Sequence, residues 1–153
     1  LLGAMALGAR WGGAKASMTA AVPAFVAFDL VIDPGAVALG LWSWEGSGPY
    51  YGVPVGNLAG WAVTGISGIL IVALALGRQR DRLESVPVEV ALSALLHVLF
   101  FSAVCFAHDR FFPGLLGLAI VAGSGIASFT VSAAQPAALV QPGGQRCEQD
   151  ERR

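Results

Sequence analysis

Charge is scarce in this chain. Only 12% of its 153 residues are charged, against roughly 25% in soluble domains. Nine Lys and Arg against ten Asp and Glu leave a net charge of −1, which says nothing about nucleic acid, and no basic patch suggests it. Cysteine is equally rare. Cys105 stands in an apolar run and Cys147 in a polar tail; without short spacing they form neither a disulfide framework nor a metal signature, and they read as free thiols. There is no Gly-rich phosphate loop, no Ser-His-Asp arrangement and no cluster of His and Cys ligands. Redox cofactors, ATP and structural metal therefore have no support in the sequence, and the expected cofactor is none. A charged leader segment with a small-residue cleavage site is also missing.

What the chain has instead is long apolar runs. Asn57 to Gly77 carries no charge, Val90 to Ala107 carries only His97, and Phe111 to Ala134 carries none. A bilayer core of ~30 Å takes ~20 helical residues, so each run can span. A soluble fold would have to bury helices that have no polar face. The fold class is thus all-α, a polytopic transmembrane helix bundle. About four complete spans are expected, near 16–40, 57–77, 88–107 and 112–134, with the end of an earlier one at 1–9. Gly12 and Gly13 suit a turn after that first segment. Pro34 disfavours helix at Asp33 and predicts a kink or break there, and Pro113 fits the first turn of the last span. The 41–56 stretch, rich in Gly and Pro, reads as a loop or re-entrant segment. Residues 1–134 form the membrane domain, read as N-terminally incomplete, and 135–153 read as a disordered tail. Gly8 with Gly12, and Gly56 with Gly60, have the spacing of close helix packing.

Basic residues set the expected orientation. Arg10, Lys15, Arg78, Arg80, Arg82, Arg146, Arg152 and Arg153 fall on one side of the alternating spans, and Arg110 alone on the other. This predicts a multi-pass protein of the cell membrane with the 78–87 loop and the tail cytoplasmic.

One window breaks the apolar monotony. Residues 28–61 hold three of the ten acidic residues, three of the four Trp and both Tyr. Asp29 and Asp33 are four residues apart, so a continuous helix puts them on one face. Two carboxyl groups in a low dielectric do not both ionise cheaply, which leaves a neutral acid beside a carboxylate, the pairing that general acid and base chemistry uses. Alternatively, one of them caps a broken helix or binds an Arg of another span. Trp42, Trp44, Tyr50, Tyr51 and Trp61 fit an interfacial belt, and they also suit a cationic intermediate. Asn57 is either a helix N-cap or a polar contact to substrate. Glu45 reads as a solvated loop charge. His97 is more simply an imidazole bonded to a neighbouring helix than a catalytic group.

The run Phe28-Asp29-Leu30-Val31-Ile32-Asp33-Pro34, then Trp42-Ser43-Trp44, Tyr51-Gly52-Val53-Pro54 and Asn57-Leu58-Ala59-Gly60-Trp61, resembles the integral-membrane carotenoid hydratases, the bisanhydrobacterioruberin hydratase and gamma-carotene 1'-hydratase family. The resemblance covers about residues 16–70; beyond that it extends only to hydrophobicity. It implies cofactor-free addition of water to a terminal isopropylidene double bond of a linear carotenoid, giving a tertiary alcohol. Asp29 and Asp33 would be catalytic, and Trp42, Trp44, Tyr51, Asn57 and Trp61 would contact substrate. The implied partners are the carotenoid in the bilayer, membrane lipids and other enzymes of the carotenoid pathway. Two other classes compete. A transporter would use the Asp pair as a proton or cation site, but the later spans offer little polar lining. A pigment- or lipid-binding scaffold would share the site without turnover.

Overall fold

A computed structural model describes residues 1–46 and 48–134. The expected tail at 135–153, with Cys147, Arg146, Arg152 and Arg153, lies outside the described residues. Four helices account for most of the rest: α1 (Leu2–Ala38), α2 (Val55–Leu76), α3 (Val88–Ala107) and α4 (Phe111–Ala134), with a 3-10 turn at Arg80–Ser85 between α2 and α3. The described residues hold no strand, only two isolated β-bridges. α1, α2 and α3 are each long and apolar enough to cross a bilayer; α4 has 24 residues and is apolar over Phe111–Gly125.

α1 is a hairpin rather than one rod. Gly12 and Gly13 leave helical geometry, Gly13 at φ 70. A straight helix would separate residues 5 and 17 by ~18 Å, yet the Ser17 hydroxyl donates to the Met5 carbonyl at 2.8 Å. The arm 2–11 therefore folds back along the arm 14–38, as the two glycines predicted. Gly8 permits the approach, since a Cβ there would lie 2.8 Å from Ser17 Cα. The second Gly pair behaves differently. Gly56 and Gly60 have open space where a side chain would project, so they pack against nothing among the described residues.

The basic segments converge at one end of the bundle. Ala14 N–H donates to Glu84 Oε1 at 3.2 Å, and Arg10 donates to the Val86 carbonyl at 3.1 Å. That ties the α1 turn to the 3-10 turn carrying Arg80 and Arg82. The 39–54 loop lies at the other end.

Of the kink or break expected at Pro34, the break does not occur: α1 runs on through it. Both Pro23 and Pro34 sit inside it with helical backbone. The reason lies outside the helix. Pro34 has no N–H for the Leu30 carbonyl four residues back, and the Tyr50 hydroxyl supplies that donor at 2.7 Å. The helix ends instead at Ala38. Gly40, at φ 67, lets its N–H reach the Val37 carbonyl while Leu41 N–H reaches Ala36, each at 3.0 Å, a Schellman closure. It sends the chain back over the end of the bundle.

Candidate active site

Since α1 is continuous past residue 33, Asp29 and Asp33 share a face, and both are buried, 6% and 1% exposed. Asp33 lies five residues before the end of α1, about 7.5 Å along the axis, and Asp29 one turn deeper. The two carboxyl groups are within hydrogen-bonding reach of each other. Asn57 Nδ2 donates to Asp33 Oδ2. Asp29 Oδ2 is buried and has no hydrogen-bond partner among the described residues. A buried polar atom left unpaired is costly and calls for an explanation.

The explanation is a cavity of about 320 Å³ between α1, α2 and α3. Phe25, Phe28 and Ile32 wall it from α1, Trp42 from the loop, Trp61 from α2 and His97 from α3, with Asp29 and Asp33 opening into it. Phe25 and Trp61 meet edge to face, centroids 5.4 Å apart and planes at 87°. Gly65 lets α2 close on α1 beneath them, because a Cβ there would stand 3.2 Å from Phe25 Cδ1. Acid, carboxylate and aromatic faces in a mostly apolar chamber are suited to protonating a double bond and sheltering a cation. A larger surface hollow of about 640 Å³, at Leu2, Glu89 and Ser93, contains neither aspartate. It is open and lacks an acid–base pair, so the smaller cavity is the better candidate.

The residues named from sequence separate into two groups. Asp29, Asp33, Trp42 and Trp61 come together on the cavity, and Asn57 stands behind Asp33. Asn57 is not an N-cap; Pro54 occupies that position and no side chain caps α2. Trp44 and Tyr51 do not line the cavity. Tyr51 is 38% exposed and sits at φ 52 in a tight turn with Gly52 at φ 90, both central residues left-handed as a type I′ turn requires. Its carbonyl accepts from Arg110 Nη1 at 2.8 Å, and the guanidinium lies 5.7 Å from its ring centroid. Tyr51 thus anchors the loop to the α3–α4 connection.

Phe25 went unnamed in the sequence reading, and Tyr50, His97 and Cys105 were not assigned to the site there. Phe25, Asp29 and Asp33 recur every four residues, a signal that would have placed Phe25 on the acid face. Tyr50 had no such signal, since its partner is a backbone carbonyl on another element. His97 was expected to bond a neighbouring helix; its Nδ1 instead lies 2.8 Å from the Ser93 carbonyl of its own helix. Cys105 is a buried free thiol that donates to the Val31 carbonyl at 3.6 Å.

Comparison with known proteins bears directly on this chamber. Residues 3–124 match a family model described as carotenoid biosynthesis protein. The chain is also 31% identical over 128 residues to bisanhydrobacterioruberin hydratase of Haloarcula japonica. That alignment takes in 82% of this chain and 42% of the relative, so the chain spans less than half the relative's length. No solved structure matches it.

Proposed function

The chain belongs to the carotenoid biosynthesis protein family, and from that membership and the acid pair we propose that it hydrates a terminal isopropylidene double bond of a linear carotenoid. The observation that carries this reading is the juxtaposition of Asp29 and Asp33 with Phe25, Trp42 and Trp61 in one cavity. Asn57 donates to Asp33, which favours the carboxylate there and leaves Asp29 holding the proton that the pair shares. Asp29 protonates the less substituted alkene carbon. The π bond breaks, a C–H bond forms, and the tertiary cation faces the aromatic rings, which are worth ~2 kcal/mol or more to a desolvated cation. Water adds to the cation as its proton passes to the Asp33 carboxylate. The proton returns to Asp29 across their mutual contact, closing the cycle with one water consumed.

Hydration is redox-neutral, and the pair supplies both proton transfers, so this mechanism calls for no cofactor. A membrane-dissolved polyene suits a site reached from hydrocarbon. Membranes holding the intact protein and the anhydro carotenoid, in water labelled with heavy oxygen, should form a tertiary alcohol carrying the label, with or without a chelator. An alcohol oxygen drawn from O₂, or activity abolished by the chelator and restored by one metal, would rule the mechanism out.

The end bearing Arg10, Lys15, Arg78, Arg80 and Arg82 is read as cytoplasmic, on the excess of basic residues there. A cysteine introduced at Arg82 should be shielded from an impermeant thiol reagent in intact cells, and one at Glu45 labelled. The reverse pattern would invert the orientation.

A further inference from the structure

His97 is the tenth of the twenty residues of α3, so it sits near the middle of its span. Its Nδ1 is 2.8 Å from the Ser93 carbonyl. A carbonyl only accepts, so Nδ1 donates to it, and in that tautomer Nε2 keeps its lone pair. A bare acceptor at this depth is expensive against hydrocarbon. The ring lines the same cavity as Asp29 and Asp33. These three side chains do not converge on a point as metal ligands would, and among the described residues no His, Cys, Asp and Glu group could hold an ion. They line one cavity, Asp29 and Asp33 buried in its wall and His97 at its exposed side.

That space has what a water molecule requires. A buried water needs two to four polar partners, and the walls offer His97 Nε2 from α3 with Asp29 Oδ2, unpaired, and the Asp33 carboxylate from α1. The other walls are aromatic or aliphatic. We propose that His97 holds the nucleophilic water of the reaction, accepting one of its O–H bonds at Nε2 while Asp33 accepts the other. The inference rests on the hydration reading above and adds to it the origin of the water in an otherwise apolar chamber. The C–O bond forms from the water oxygen to the tertiary cation, the O–H facing Asp33 breaks, and that proton goes to Asp33. His97 keeps its own protonation throughout. It positions the water and exchanges no proton.

A cation formed without its water must lose a proton, so heavy water separates the two steps. In D₂O, Asp29 delivers a deuteron to the alkene carbon. If no water is held there, Asp33 removes a proton from the same carbon or from an adjacent methyl, and the recovered carotenoid carries deuterium at its end group. For His97→Leu in the intact protein, alcohol formation should fall about 100-fold, the usual scale for a misplaced reactant, while deuterium exchange persists. The ratio of exchange to hydration should rise by a similar factor. His97→Gln offers an acceptor oxygen and should recover much of the hydration. Equal loss of hydration and exchange in His97→Gln, with the protein still accumulating, would overturn the proposal, as would undiminished hydration in His97→Leu. Should His97→Leu fail to accumulate, the Gln variant alone decides. Failure of the underlying reading looks different: the wild-type protein gives neither alcohol nor exchange, or Asp29→Asn retains both.

Discussion

The α1–α2–α3 corner and the α3–α4 seam share α3, yet they treat polar groups in opposite ways. At the seam, Ser102 is fully buried and its hydroxyl donates to the Val98 carbonyl at 2.7 Å. Cys105, also fully buried, gives its proton to Val31. Gly114 admits the Phe106 ring, whose carbons would stand 3.0 Å from a Cβ, and a Cβ on Gly117 would collide with Ser102 and lie 2.9 Å from Val31 Cγ1. Both of these protons go to backbone carbonyls, and Gly114 and Gly117 let the helices approach closely. The corner keeps bulky Phe25, Trp42 and Trp61 around a chamber, with Asp29 Oδ2 unpaired among the described residues. A bundle that closes one interface so tightly has the means to close the other. That it leaves the second open, with a buried carboxyl oxygen unpaired among the described residues, makes the corner the candidate place for the proposed chemistry.

The comparison breaks first at the acids. Asp29→Asn keeps size and polarity but removes the transferable proton, and general acid contributions run to roughly 100- to 10,000-fold. Hydration should fall by that factor while the protein still inserts and accumulates, because a neutral amide is cheaper than a carboxylate to hold in lipid. Asp33→Asn should also lose hydration, and it additionally disturbs the contact with Asn57. Product formation by both variants at the wild-type rate would make the pair structural.

Gly117 tests the other side. Gly117→Leu forces a side chain into the seam against Ser102 and Val31, and overpacking typically costs ~1–3 kcal/mol. Thermal unfolding in detergent should come at a lower temperature, with turnover per folded molecule little changed. This is the reverse of the pattern expected for Asp29→Asn. A Gly117→Leu protein as stable as wild type would show that the seam is looser than its geometry implies.

These two regions were unequally legible in the sequence. Helix positions followed from charge-free runs, because a bilayer fixes length and polarity together. The pairing of Asp29 with Asp33 followed from their spacing. Gly12 and Gly13 announced the hairpin turn. The continuity of α1 through Pro34 was not readable, because the donor that replaces the missing N–H comes from Tyr50, on a loop whose path depends on the whole end of the bundle. For the same reason nothing distinguished Tyr50 from Tyr51. The type I′ turn turns one ring inward against Phe112, centroids 6.4 Å apart, and leaves the other beside Arg110. The contact of Asn57 with Asp33 depends on how α2 is set against α1, which no local pattern encodes.

Tyr50 gives the finest test, since it supports the acid pair without touching the cavity. Tyr50→Phe leaves the ring in place and removes the hydroxyl from the Leu30 carbonyl, one turn from Asp33. A hydrogen bond of this kind contributes about 1 kcal/mol net, so a modest drop in thermal stability is expected, with hydration reduced by no more than about tenfold. Alkaline pH should reveal the same bond. Burial pushes the Tyr50 hydroxyl up from 10.0 to about 12, so the folded protein favours the neutral phenol. Its contribution is fully present below about pH 10 and is lost as pH rises through about 12, where the phenol ionises and stops donating. Wild-type stability should therefore fall across that window by more than that of Tyr50→Phe. Parallel curves for the two proteins would mean that Leu30 finds another donor and that Pro34 needs no help from the loop.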